Sequence, residues 1–467
     1  MEKSRSRSPT RKMPDKPSAE RVLKRVRDEK INLIKFQWLG NDLIPRAMVS
    51  HAEYLASHIR DGIGIPKALQ SFNVLDKLAY TGSWGSEAKE LKIIPDLNTF
   101  CPLPYAPGTA RMMGELCGLD LKPHPTDARY YLRRMIAKAQ EMGFNPMVSC
   151  ELEFYVFNRG DPPSPYINTR FAASYGYDLY NDYMQEVTST LWSMGVRLER
   201  LKKEYGHAQV EPVFRYSDAL NAADNYVTIK DVTKGLAAKR GLFASFMPKP
   251  FAGAPGSGCH IHLSLVDTKT NQNAFFDPKH KRGCNMNQRG YHFIGGLMKH
   301  MNGICVFGAP LSNSYKRLLP GSWAPAHVSY GYDHRGTAIR IPSTSPHTNG
   351  SEQRIEYRVP DPSCNPYWTV GTLIAAGLDG IKNKIDPGDP LDVDPARLSD
   401  QELTRRGIRY LPRTIGEAIA EAKLDPFAQI SLGEMAFQEY IKVRESEYRD
   451  YREQVTQWEI DNYLSSI

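Results

Sequence analysis

One local pattern recurs in this chain and restricts what it can fold into: short segments in which every second residue is apolar and the residues between them ionise. Side chains alternate across a β-strand, so residues i and i+2 project from one face about 7 Å apart. In the segment 148–156, Val148, Cys150, Leu152, Phe154 and Val156 share one face and Glu151 and Glu153 the other. In 258–265, His260, His262 and Ser264 oppose an apolar set, and in 354–359 Arg354, Glu356 and Arg358 oppose Ile355, Tyr357 and Val359. Gln209 and Glu211 repeat the spacing shortly after Glu204. The pattern predicts antiparallel strands with one face on a core. A merely solvated outer face is the plain reading of it. Solvated faces, however, usually mix Lys, Thr, Ser and Glu, whereas these are acid–acid, imidazole–imidazole and Arg–Glu–Arg. If the strands adjoin, Glu151, Glu153, Glu204, Glu211 and Glu356 converge with His260. Five carboxylates together need cations or raised pKa values. Oxygen-rich ligation with one imidazole suits Mg2+ or Mn2+ better than zinc. Two such ions clamping a polyphosphate would give the nearby arginines a use.

Around these strands the chain reads as α+β. Its 467 residues exceed one ordinary core and imply a small and a large domain. A strand is expected over 31–38 and a helix from a Thr126 or Asp127 cap to about Gln140, with Tyr131, Leu132, Ile136 and Ala139 on one side. A second helix is expected over 223–240, closed by Gly241, and then a strand over 242–247. A last long helical stripe runs from Ala436 to Leu464. These elements place a domain over 19–120 and a larger one over 121–467.

The net charge of +8 raises the question of nucleic acid. Half of it lies in the first 17 residues, where Lys3, Arg5, Arg7, Arg11, Lys12 and Lys16 against Glu2 and Asp15 leave +4. Residues 1–18 are therefore expected to be a disordered basic tail, and the near-neutral body is not expected to bind nucleic acid. No apolar stretch approaches the roughly 20 residues of a membrane helix, so no membrane is expected. The seven scattered cysteines, never in a C-x-x-C pair, point to a reducing cytoplasm.

Six segments, taken in order, resemble the glutamine synthetase family. Glu151-Leu152-Glu153-Phe154 resembles its E-x-E-F strand, and Glu204 through Glu211 its E-x-x-x-G-Q-x-E segment. Phe246-Met247-Pro248-Lys249-Pro250 and Gly256-Ser257-Gly258-Cys259-His260-Ile261-His262-Leu263-Ser264 are similar to its F-M-P-K-P and G-S-G-x-H-x-H-x-S signature. Lys316 to Gly321, Arg340-Ile341-Pro342 and Arg354 to Pro362 complete the set. The resemblance implies a small N-terminal β-grasp-like domain and a catalytic domain with a curved antiparallel sheet backed by helices. It also implies an ATP-dependent ligase that activates the glutamate γ-carboxylate as an acyl phosphate and transfers it to an amine. By the same resemblance Glu153, Glu204 and Glu211 would hold one Mg2+ (or Mn2+), and Glu151, His260 and Glu356 a second. Arg335 and Arg340 would neutralise the phosphoryl group in transfer, and Arg317 and Arg358 would grip the glutamate α-carboxylate. Backbone at Gly256 would meet the substrate's amino group, while His262, Ser264, Arg340 and Arg354 would face ATP. A homo-oligomer is implied, a double-ring dodecamer with shared sites.

Two departures bear on the acceptor. Family members that make glutamine usually carry P-G-x-E-A-P in the flap over the amine site, with the glutamate taking a proton from ammonium. Here the flap reads Pro320-Gly321-Ser322-Trp323-Ala324-Pro325, and Trp323 stands in the acid's place. The acidic F-D-G-S-S segment has no good counterpart, Phe72-Asn73-Val74-Leu75-Asp76 being the nearest. Replacing an acid by an indole disfavours a small cation and favours an apolar substituent. The expected product is an N-substituted γ-glutamylamide, from an alkyl-, poly- or arylamine; the alternative is glutamine made from ammonia. Pro255 stands where an asparagine contacting glutamate is usual.

Overall fold

The computed structural model describes residues 19–467, so the basic tail expected over 1–18 lies outside the described residues. The chain opens with helix α1 (Ala19–Asp28), strands β1 (Leu33–Leu39) and β2 (Pro45–His51), helix α2 (Leu55–Asp61), and strands β3 (Ile63–Pro66), β4 (Glu90–Pro95), β5 (Cys101–Pro102) and β6 (Thr109–Cys117). The sheet runs β2-β1-β6-β4-β3, with β5 on β6. Its β1–β6 pair is parallel and its neighbours antiparallel. In the strand expected over 31–38, Ile34, Phe36 and Trp38 face inward and pack with Val22 and Val26 of α1. This is the small β-domain the resemblance implied.

The larger domain begins with α3 (Ala128–Glu141), capped by Asp127, whose carboxylate accepts the Tyr130 N–H at 3.0 Å. Strands β7 (Phe144–Leu152), β8 (Phe154–Asn158) and β9 (Ser164–Pro165) follow, then α4 (Ser174–Ser193), β10 (Leu198–Lys203), β11 (Gln209–Phe214), β12 (Ser217–Asp218), α5 (Ala219–Lys239), β13 (Leu242–Ser245) and β14 (Cys259–Asp267). Helix α6 (Gln288–Gly308), strands β15 (Tyr330–Tyr332), β16 (Ile339–Ile341) and β17 (Ile355–Tyr357), and helix α7 (Pro366–Asn383) complete the large sheet and the helices that back it. Eleven strands form one sheet along the path β13-β8-β11-β7-β14-β17-β16-β15. All its pairs are antiparallel except β15–β16. The apolar faces read from the sequence are buried: Val148, Leu152, Phe154, Val156, Cys259, Ile261 and Leu263 are at most 1 % exposed. They pack in one core with α3, α5, α6 and α7. Helices α6 and α7 touch at Gly296 and Gly380, where an added Cβ would come within 2.0 Å of a backbone carbonyl oxygen of the other helix.

The structure corrects two sequence expectations. The continuous strand expected over 148–156 is interrupted at Glu153. There the Glu153 N–H donates to the Gly258 carbonyl (3.1 Å), and β11, which contains Pro212, pairs with β7 on one side of the break and β8 on the other. The single helix expected from Ala436 to Leu464 is two, α11 (Glu434–Arg452) and α12 (Gln457–Tyr463), which follow α8 (Asp400–Arg405), α9 (Ile415–Leu424) and α10 (Pro426–Leu432). Thr456 and Glu459 form a capping box that starts a new helix after the break. Phe437, Tyr440 and Ile441 pack into the core, whereas Val455 and Trp458 are exposed. The stripe therefore stops packing half-way along.

The two domains meet at an ion-pair network around Arg129 on α3. Its guanidinium, 4 % exposed, reaches Asp224 of α5 (2.8 and 2.9 Å), Glu115 of β6 (2.6 Å) and Asp96 at the end of β4 (2.8 Å). Arg133 shares the last two acids. Removing one member of a buried network strands the others' charge, which costs about 3–5 kcal/mol. Arg129→Ala is accordingly expected to lower the unfolding midpoint by several degrees in a thermal melt, whereas Arg60→Ala, whose pair with Asp61 is exposed, should leave it within a degree.

Candidate active site

The sheet order brings β11, β7, β14, β17 and β16 side by side, and register does the rest. His260 lies opposite Glu151, His262 opposite Glu356, and Arg340 opposite Glu356. Their polar faces are stacked across four neighbouring strands, as the i, i+2 spacing required. His260 Nδ1 stands 3.4 Å from Glu151 Oε2 and 3.5 Å from Glu356 Oε1. His262 Nε2 is 3.1 Å from Glu151 Oε1, and ligand atoms of Glu151, His262 and Glu356 all lie within 4.8 Å of one another. His262 thus joins the acid cluster itself, with its Nδ1 accepting from Arg354 Nε at 3.1 Å.

The other three acids gather on the adjoining side. Glu153 Oε2 accepts from Gln209 Nε2 (2.8 Å) and from the Gly258 N–H (3.0 Å). Gln209 Nε2 also donates to the Gly256 carbonyl at 3.0 Å, tying that loop to the acid. Lys202 Nζ reaches Glu204 Oε1 at 2.5 Å and Glu211 Oε2 at 3.1 Å. Lys202 was not singled out from the sequence, although it stands two residues before Glu204 and lies opposite Glu211 in the β10–β11 register. Lys203 is buried, its ammonium donating to the carbonyls of Glu204 and Gly206 and so holding the turn that carries Glu204.

Electrostatics separates the two groups. Burial pushes the Glu153 carboxyl up to about 7, aided by the neighbouring Glu204. Burial, with Glu151 and Glu153 close by, lifts Glu211 to about 9 in spite of Lys202. At an effective dielectric of about 20, two like charges 4 Å apart repel by about 4 kcal/mol, enough to favour a retained proton over a second charge. Glu151 goes the other way: burial opposes its charge, but His262 and His260 hold the carboxyl well below the usual range. For Glu356, Arg358 with the two histidines outweighs burial and keeps it ionised. His260 is pushed down to about 4 by burial and by Arg358, so its imidazole is neutral and free to ligate. Hard carboxylate oxygens crowded beyond what the protein's own cations neutralise, with neutral imidazole beside them and no thiolate on that face, fit divalent Mg2+ or Mn2+.

The arginines take distinct positions. Arg358 donates to Glu356 Oε1, to the Arg335 carbonyl (3.1 Å) and to the Trp323 carbonyl (3.4 Å). Arg340 bridges Glu356 (2.7 Å) and Asp333 (2.9 Å). Arg317 is buried, with both terminal nitrogens on the carbonyls of Val359 and Arg358 (2.9 and 3.1 Å), and burial lowers its pKa. Arg335 is exposed and lines a cleft of about 950 Å³ with Trp323, Tyr332, His334 and Arg397. Ser264 sits half-buried opposite Met147, one step beyond His262 along β14. Gly258 lies at the centre, where a Cβ would come within 2.8 Å of Arg317 Nη2 and 2.9 Å of His260 Nε2.

Over this site stands the flap. Trp323 is 69 % exposed and holds φ +61°, a left-handed conformation that costs a bulky residue roughly 1–3 kcal/mol. Its indole leans on Tyr205 (centroids 6.3 Å, 45°), and Tyr205 stacks on Phe171 (4.1 Å, 10°). Neither Tyr205 nor Phe171 was picked out from the sequence, because stacking between residues 171, 205 and 323 leaves no periodic trace.

Known proteins share both halves of this chain. Residues 17–124 match the glutamine synthetase N-terminal domain and residues 125–463 the glutamine synthetase catalytic domain. The glutamine synthetase of Methanosarcina mazei is 37 % identical over 457 residues, covering 96 % of this chain and 98 % of the relative, and that of Thermus thermophilus is 35 % identical, covering 95 % and 98 %. Among solved structures, a GmaS–ADP complex superposes with a TM-score of 0.84 at 27 % identity, covering 95 % of this chain and 99 % of GmaS, and ligand-free GmaS with 0.82 at 26 % identity and the same coverage. This chain belongs to the glutamine synthetase family.

Proposed function

We propose that the protein is an ATP-consuming ligase that joins the γ-carboxylate of glutamate to the nitrogen of a substituted amine, with a domain division near residue 120. In the first step a γ-carboxylate oxygen attacks the γ-phosphorus of ATP, the bond to the bridging oxygen breaks, and ADP leaves. In the second the amine nitrogen attacks the acyl carbon, the acyl C–O bond breaks, phosphate departs and the nitrogen gives up one proton. Bringing a carboxylate to a triphosphate sets anion against anion, so positive charge must be in place beforehand. Divalent ions, held by Glu153, Glu204 and Glu211 and by Glu151, His260 and Glu356, would supply most of it. The closeness of His262 to Glu151 and Glu356 supports giving it a part in holding the second ion, beside its place toward ATP with Ser264 and Arg354. Arg335, whose side chain projects into the cleft, and Arg340 complete the field around the phosphoryl group. Arg358 and Arg317 would receive the α-carboxylate, a task suited to guanidinium. Arg317 would keep its hold on the carbonyls of Val359 and Arg358 while it does so. The backbone at Gly256 is placed beside Glu153 for the α-amino group.

The observation that carries the acceptor assignment is Trp323, an indole held in a strained conformation where glutamine-forming flaps carry glutamate. Without that acid, nothing on the flap attracts ammonium or takes its proton. The high likeness in fold to GmaS, γ-glutamylmethylamide synthetase, supports the same reading. Glutamine synthesis from ammonia is the second reading, favoured by the names of the relatives at 33–37 % identity.

Three measurements test this. Glu356→Ala and His260→Ala are each expected to lower glutamate- and amine-dependent ATP turnover by about 10³-fold while circular dichroism shows an intact fold; substantial activity in either removes the metal assignment. Phosphate release with glutamate, ATP and Mg2+ across ammonium, methylamine, ethanolamine, putrescine and aniline should give a substituted amine a kcat/KM about tenfold or more above ammonium. Ammonium leading the series would install the second reading. Trp323→Glu should shift the ratio of ammonium to substituted-amine turnover about tenfold towards ammonium, and an unchanged ratio would detach the flap from acceptor choice.

A further inference from the structure

Three exposed aromatic rings from three separate segments meet at the rim of the acid cluster: Phe171 before α4, Tyr205 in the turn between β10 and β11, and Trp323 on the flap. Their exposures are 39 %, 55 % and 69 %, a concentration of apolar ring surface that a solvated rim does not need. Each is fixed to the site below it. Tyr205 directly follows Glu204, and its N–H donates to Glu204 Oε2 at 3.3 Å. Trp323 is tied through its carbonyl to Arg358. Lys202, which neutralises Glu204 and Glu211, lies 5.8 Å from the centroid of the Phe171 ring. The Phe171–Tyr205 pair is close and parallel, so one face of the Tyr205 ring is covered by a rigid partner. Trp323 meets Tyr205 at 45°, and its indole remains the most exposed of the three.

From this geometry, and resting on the amine-ligase reading above, we propose that the acceptor carries an aromatic ring, as an arylamine or arylalkylamine, and that Phe171, Tyr205 and Trp323 select it. The amine nitrogen points down past Glu204 towards the acyl carbon, and its ring packs on the indole and on Tyr205. Short alkyl groups cover only a fraction of such a wall. A ring gains more than contact area from it, because polarised aromatic faces and edges attract one another in offset or edge-on arrangements. A polyamine, which has no ring, gains no such face or edge contact from the wall. Tyr205 and Trp323 touch the acceptor. Phe171 acts through Tyr205 as a positioning residue, holding the phenol ring upright against the flap.

The test is acceptor discrimination by the full chain with glutamate, ATP and Mg2+, comparing aniline, benzylamine, cyclohexylmethylamine, methylamine, putrescine and ammonium. The better of aniline and benzylamine should exceed methylamine in kcat/KM by about tenfold, and benzylamine should exceed cyclohexylmethylamine of similar size by about threefold. Phe171→Ala and Tyr205→Ala should raise KM for that aromatic amine about three- to tenfold more than they raise KM for methylamine; Phe171→Tyr should restore it. Methylamine or putrescine matching the aromatic amines, while all exceed ammonium, overturns the aromatic acceptor and leaves the amine-ligase reading standing. Cyclohexylmethylamine equal to benzylamine shows apolar area alone at work and overturns the selection by ring faces. Ammonium exceeding every amine overturns both readings. The wild-type comparisons need no variant to fold, so they decide the matter even if Phe171→Ala does not.

Discussion

Like charges crowded on a surface backed by a dry core are the constraint under which the rest of this molecule is arranged. Glu151, Glu153, Glu204, Glu211 and Glu356 stand on one wall of the large sheet, and the opposite side of the same strands is buried in the main core. The strand-borne acids Glu151, Glu211 and Glu356 cannot relax away from one another without turning a strand over, which would put Val148, Leu152, Val210 or Ile355 into water. The protein answers the repulsion in two ways. Around Glu356 and Glu151 it supplies Arg358, Arg340 and two imidazoles, and both carboxyls stay ionised. Around Glu153 and Glu211 it supplies Lys202, with Arg317 facing Glu153, against three acids, and protons are still retained up to about 7 and about 9. That imbalance is physical ground for divalent ions at this wall, since ions restore the charge that these two cations do not.

The topology converts this constraint into a reaction surface. An antiparallel sheet in the order β11-β7-β14-β17-β16 lets residues hundreds of positions apart stand opposite each other, so Glu151, His260, Glu356 and Arg340 lie in adjacent register. At Glu153 the chain grips the entry to β14 twice: its N–H donates to the Gly258 carbonyl, in register with the Leu152–Cys259 pair, while its carboxylate accepts from the Gly258 N–H and from Gln209. The glycine-rich entry to β14 is thereby clamped under the acids, with Gly258 so close to His260 and Arg317 that an added Cβ would push one of them aside.

How much of this was legible in the sequence follows from the range of each interaction. Alternation is local, so the apolar faces of β7, β14 and β17 and the acids opposite them could be read directly, as could the Asp127 cap of α3. Convergence is not local. That Glu153 and Glu211 share a wall required strand order, which the residues suggested only through their unusual chemistry and through the family resemblance. The misreadings have the same origin. The 148–156 alternation continues unbroken through Glu153, and only Pro212, which faces Leu152 from β11 without an N–H to give, divides the strand. The stripe after Ala436 keeps helical spacing through Trp458, yet the capping box at Thr456 and Glu459 restarts the helix away from the core. His262 was placed only towards ATP because its distance to Glu151 depends on a cross-strand pair.

Arg358 shows why flap and chemistry belong to one device. A single guanidinium, 3 % exposed, donates to the Glu356 carboxylate, to the carbonyl of Arg335 and to the carbonyl of Trp323. Its planar fork holds these three acceptors in one rigid geometry, whereas a lysine's three donors would rotate about its ammonium. The loop bearing the exposed Arg335, the flap bearing the indole and the acid facing both histidines therefore share one anchor. The strained φ of Trp323 fits this arrangement, because a backbone held by its carbonyl to a buried cation can keep a side chain where a free loop would let it relax. On the other side of the mouth, Tyr205 is pinned through Glu204 and the Lys203-braced turn. On the proposed reading, the rings that would face an incoming acceptor are anchored on the same charged residues that would ready the wall for phosphoryl transfer. Selecting the acceptor and ordering the charge would then draw on one set of contacts rather than two.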